Sequence, residues 1–94
     1  MSVIPLLAAL AIVSPKDGDS VSAQKPLRLV WEGSTNNVVY LLSIVRQGDE
    51  PQLFSLSNRV DAWIANLETA SRFDWSVRQA GSLDSVSAHF VTEN

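Results

Sequence analysis

A catalytic hydroxyl needs a base within hydrogen-bond reach, so any search for acyl-transfer chemistry in this sequence starts at its one histidine, His89. Ser85 and Ser87 precede it at alternate positions, which on a strand places all three side chains on one face. Val86, Ala88 and Phe90 occupy the other face, so the pattern predicts that His89 points outward among ordinary polar strand residues. One His and no Cys cannot assemble a zinc or other transition-metal site. Asp17, Gly18 and Asp19 offer hard oxygen ligands, but too few for a calcium loop, and predict a turn whose Asp side chains bond local backbone. Asp49 and Glu50 before Pro51 read as a solvated hairpin tip, since paired carboxylates doing glycosidase work need a cleft. The four glycines, at 18, 33, 48 and 81, are isolated in turns, where they are expected to serve the backbone, and form no phosphate cradle. The residues therefore predict no catalytic group, no metal and no cofactor: the chain is not expected to be an enzyme.

Binding chemistry is better represented. Trp31 and Trp75 fall on inward parities and are expected in the core, whereas Trp63, between Ala62 and Ile64, is expected to point away from it. Val39, Leu41 and Val45 are apolar on the face opposite Tyr40, Leu42 and Ile44. A strand apolar on both faces is either covered twice or exposes a patch for a partner. Val39, Leu41, Val45 and Trp63 are thus the candidate interaction surface, with the alternative that the N-terminal segment or a one-residue bulge covers them. They need not lie on one sheet.

The elements that must position these residues are short. Turn-forming clusters recur at Pro15–Ser20, Gly33–Asn37, Gln47–Pro51, Ser57–Asn58, Glu68–Ser71 and Ala80–Ser85. Between them lie runs rich in Val, Ile, Leu, Phe, Tyr and Trp, which predict about seven strands in two antiparallel sheets, an all-β sandwich without helix. Phe73, Trp75 and Val77 alternating with Asp74, Ser76 and Arg78 mark a central strand.

With 94 residues the chain suffices for a single domain, residues 1–94, with residues 1–13 a first strand or the remnant of an upstream anchor or linker. The apolar run from Val3 to Val13 lacks a basic start, is too short to span a bilayer and is interrupted by Pro5. The net charge of −3 gives no attraction for a phosphate backbone, so no nucleic acid partner is expected. Without cysteine there are no disulfides, which leaves the redox compartment open.

Laid end to end, these runs resemble bacterial fibronectin type III-like domains from about Ser14 to Thr92. Ser14-Pro15-Lys16-Asp17-Gly18-Asp19-Ser20-Val21 is similar to the opening of such modules. Leu29-Val30-Trp31 resembles the second strand with its core Trp, and Tyr40-Leu41-Leu42-Ser43-Ile44 the third. Leu67 followed by Phe73, Asp74, Trp75, Ser76, Val77 and Arg78 is similar to the family's passage through its corner into the sixth strand. The family has Tyr where Phe73 stands, so the corner is expected to lose a hydroxyl bond worth about 1 kcal/mol.

The resemblance implies an immunoglobulin-like fold and a structural or protein-binding module of a larger bacterial extracytoplasmic or cell-surface protein. Its partner would be another protein, a neighbouring domain, or a second copy paired through edge strands. A carbohydrate-binding domain using Trp63, and the sensing domain of a membrane-anchored regulator, are the alternatives. Fold alone does not choose among them.

Overall fold

Strict alternation on Phe73, Trp75 and Val77 requires a strand with one dry face, and the computed structural model, which describes residues 10–94, buries all three. The described chain is all-β. Its strands are β1 (Ala11–Ser14), β2 (Asp19–Val21), β3 (Leu27–Glu32), β4 (Val39–Arg46), β5 (Gln52–Ser57), β6 (Asp61–Ile64), β7 (Arg72–Gln79) and β8 (Ser85–Thr92). They form a three-stranded sheet, β1-β3-β6, and a five-stranded sheet, β2-β8-β7-β4-β5.

The expected sandwich is correct, with two amendments. There are eight strands rather than seven, because the opening segment divides at buried Pro15: β1 pairs with β3 in one sheet and β2 with β8 in the other. The β2–β8 pair is parallel, so the sheets are not wholly antiparallel. Ala11–Val13 do lie in a first strand and Leu10 packs against the core beside it, while residues 1–9 of the N-terminal run lie outside the described residues.

Each inward parity read from the sequence reaches the same core. Leu29, Trp31 and Ala62 face it from the small sheet; Tyr40, Leu42, Ile44, Phe73, Trp75, Val77, Ala88 and Phe90 face it from the large one. Trp31 holds the two layers together, edge-on to Tyr40 at 5.6 Å and tilted against Trp75 at 6.4 Å. Full burial of side chains of this size contributes roughly 1.5–3 kcal/mol each, which is what fixes the registers.

Two local expectations need correction. Phe73 does lack a hydroxyl, stacking instead on Phe90 at 5.3 Å, but the corner it enters is not left untied. Thr92, the buried polar residue at the end of β8, donates its hydroxyl to the Glu68 carbonyl at 2.6 Å and accepts the Ser71 N–H at 3.0 Å. Phe73 makes no hydroxyl bond, as expected, and the corner is tied by a different hydroxyl from another strand.

Gly33 is the second correction. Gly18, Gly48 and Gly81 have positive φ, as turn glycines do, whereas Gly33 is not among them. Its constraint is packing: the Tyr40 hydroxyl, which donates to the Ser34 carbonyl at 2.7 Å, occupies the space a Cβ at position 33 would need.

Candidate functional site

The register of the large sheet decides which side chains share its outer face. β4 is regular against both neighbours, with Leu41 opposite Ser55 of β5 and Arg78 of β7, and Ser43 opposite Leu53 and Ser76. No bulge re-aims this strand. Val39, Leu41 and Val45 therefore do lie together on the outer face; Val39 is exposed, while Leu41 and Val45 are half-buried. The segment 1–9, which the sequence left as a possible cover, lies outside the described residues.

Trp63 is exposed, as its parity predicts, at 61% of its surface. It sits on β6 of the other sheet, opposite Arg28 of β3, so the four candidates do not form one face. Beside it Asp61 accepts Arg28 Nε at 3.0 Å and Arg59 Nη2 at 3.1 Å. These guanidinium bonds, Arg59 first and Arg28 second, hold the Asp61 carboxyl below its ordinary value of 3.8.

Further exposed apolar residues accompany Val39, Leu41, Val45 and Trp63. Leu53 is 75% exposed on the outer face of β5, and Phe54, with the opposite parity, is 38% exposed. Leu41, Ser43, Leu53, Ser55, Ser76 and Arg78 line a shallow depression of about 450 Å³ on the outer face. Phe54, Leu56, Arg59, Ala62, Trp63 and Ile64 line another of about 280 Å³ between β5 and β6. β5 is one edge of the large sheet and β6 one edge of the small sheet, so the apolar surface wraps the flank where these two edges come together. The available sequence signal was Gln52-Leu53-Phe54-Ser55-Leu56-Ser57 itself, apolar on both parities and without a charge.

His89 faces outward on β8, as its parity predicts, but it is not a free surface side chain. It is half-buried, and its Nδ1 lies 2.6 Å from the Asp17 carboxylate, which also accepts the His89 backbone N–H at 2.9 Å. Gly18 N–H in turn donates to the His89 carbonyl at 2.8 Å, so Asp17 and Gly18 extend the contact between the β1–β2 turn and β8. Asp19 makes the expected local bond, accepting Lys16 N–H at 2.8 Å; Asp17 does not. Ser85 and Ser87 share the outer face with His89, as predicted, and no hydrogen bond joins either hydroxyl to the imidazole among the described residues. No group of three or more His, Asp or Glu placed to hold a metal ion occurs among the described residues.

No protein-family model and no curated protein matches this chain. The geometry of the flank therefore carries the functional reading, and the Asp17–His89 contact bears on stability.

The His89 backbone bond is the largest cause of a lowered Asp17 carboxyl, with the imidazole and Arg72 adding to it against partial desolvation. A carboxyl whose folded value is depressed stabilises the fold above its unfolded value, here near 3.8, and loses that contribution as pH falls through the lower folded value. Asp17→Asn should accordingly be less stable than wild type at pH 6, with the gap closing as pH is taken below about 4. Urea midpoints measured across that range test this, and a gap independent of pH would rule the linkage out.

Proposed function

We propose that this chain is a non-catalytic fibronectin type III-like module of a larger bacterial extracytoplasmic protein, and that it binds another protein along the β5–β6 flank. The family reading is supported by the order of its four local similarities, from the Ser14–Val21 opening to the Leu67–Arg78 passage. The observation that carries the binding reading is the convergence of Leu53, Phe54 and Trp63, all exposed, on one flank of the sandwich. Large exposed apolar side chains grouped beside a sheet edge are characteristic of docking surfaces.

A photo-reactive phenylalanine analogue placed at position 63 tests the reading in cells producing the protein. It should give a discrete protein adduct, whereas the same analogue at Leu83, 97% exposed in the β7–β8 turn, should not. Equal or absent labelling at the two positions would dispose of the flank as a binding surface.

Exposure of Trp63 beside Arg28 and Arg59 also favours a second reading, stacking of a sugar ring with hydroxyls bonded by the guanidinium groups. With Trp31 and Trp75 buried, acrylamide quenching reports on Trp63. Protection by an oligosaccharide would support this second reading, and its lack across a glycan panel would remove it.

A further inference from the structure

Resting on the proposal that the β5 flank is a docking surface, we infer that its occupant is a second copy of this chain, paired antiparallel edge to edge through β5 across a twofold axis at Ser55.

Hydrogen-bond parity identifies the free groups. Asn58 N–H donates to the Val38 carbonyl, and Val38 N–H to the Asn58 side chain, so position 38 faces 58 as a hydrogen-bonded pair. The β4–β5 register continues from there with Tyr40 on Leu56, Leu42 on Phe54 and Ile44 on Gln52. Since hydrogen-bonded and non-hydrogen-bonded pairs alternate in an antiparallel ladder, Gln52, Phe54 and Leu56 spend their backbone groups on β4. The odd positions of β4 turn to β7 instead, as Ala80 N–H on the Val39 carbonyl shows. Leu53, Ser55 and Ser57 consequently aim their N–H and C=O groups at the open edge, where no described strand pairs with them.

This edge lacks the features that usually deter pairing. Among the other described edges, β1 and β2 are short, β2 carries Asp19, and β6 carries Asp61 with two arginines bonded to it. β5 runs for six residues with no charge and no proline.

The free groups also select one register. In a twofold antiparallel pair, Leu53 meets Ser57 of the other copy, Ser55 meets Ser55 and Ser57 meets Leu53, and each is a hydrogen-bonded pair. Shifting by two residues loses one of these pairs, and shifting by one puts the free groups out of phase. In the selected register Phe54 falls opposite the other copy's Leu56 at a non-hydrogen-bonded position, where side chains approach most closely. The exposed ring is thereby covered, and two five-stranded sheets become one continuous sheet.

Sedimentation of the wild-type chain over a wide concentration range should show a monomer–dimer equilibrium. Ser55→Lys, exposed in the monomer, sets two like charges face to face on the axis and should weaken the dimer by on the order of tenfold or more. Because the chain has no cysteine, register can be read by disulfide trapping. An equimolar mixture of Leu53→Cys and Ser57→Cys should form the mixed disulfide faster than either variant couples to itself, at the Cα separation of about 5.5 Å that suits the bond. A monomer throughout, a dimer indifferent to Ser55→Lys, or no preference for the mixed disulfide each overturns the inference. Adducts from position 63 with a different protein would show, in that event, that the flank binds but not to its own copy.

Discussion

Thr92→Val is expected to lower the unfolding free energy by about 2 kcal/mol, a large loss for the removal of one hydroxyl. The substitution conserves shape but leaves the Glu68 carbonyl and the Ser71 N–H without the partner they share at 2.6 and 3.0 Å. Restoring those bonds from water would require opening the place where β8 ends, because Thr92 is buried and its own N–H is already bonded to the Ser71 carbonyl. The neighbouring residue extends the same junction: Glu93 N–H bonds Val21 of β2, and Ala70 N–H bonds the Glu93 carbonyl. For a domain of this size the loss corresponds to a Tm lower by roughly 8–16 °C. Thr92→Ser, which keeps the hydroxyl, should recover most of it. A Val variant within about 0.5 kcal/mol of wild type by urea denaturation would show that the corner is held by packing alone.

The same junction marks the limit of what the sequence makes legible. Alternation on β4, β7 and β8 identifies the core because each of these strands has one face buried against the opposite sheet, and a one-residue slip would expose it. Trp63 was readable for the same reason, its parity being tied to Ala62 and Ile64. Contacts between distant segments leave no periodic trace. Asp17 and His89 meet across 72 positions, and Thr92 reaches a loop more than twenty residues away. Nothing local distinguishes this Asp from its neighbour Asp19, which does make a turn bond. The parallel β2–β8 pair leaves no sequence signal, because three residues are too few to show a period.

The exposed apolar flank is legible in part. Val39, Leu41 and Val45 stand out by the double-sided apolar pattern of β4, and β5 beside it adds Leu53 and Phe54 to the exposed surface. Strand order in space determines which strand is the edge, and that order is a property of the assembled sheet. An apolar central strand and an apolar edge strand look alike in sequence; only the edge has backbone groups to offer.

Gly33→Ala is the companion test of packing against backbone freedom. A methyl at position 33 would run into the Tyr40 hydroxyl, and Tyr40 cannot swing away, being buried edge-on to Trp31 and bonded to the Ser34 carbonyl. Burial also pushes its phenol above the ordinary value of 10.0, so it remains a donor at neutral pH. Overpacking at such a site should cost about 1–3 kcal/mol. Tyr40→Phe alone should cost about 1 kcal/mol through the lost bond. Combined, the two should cost less than their sum, because the phenylalanine ring lacks the oxygen that the methyl meets; couplings between touching residues are typically about 0.5–3 kcal/mol. Gly48→Ala supplies the contrast. Position 48 has open space around it but a φ of +95°, so its alanine variant should be destabilised through the backbone and gain nothing from Tyr40→Phe. Rescue at position 33 without rescue at 48 would separate the two roles of glycine in this fold, and additive costs at both positions would place the constraint on Gly33 in its backbone after all.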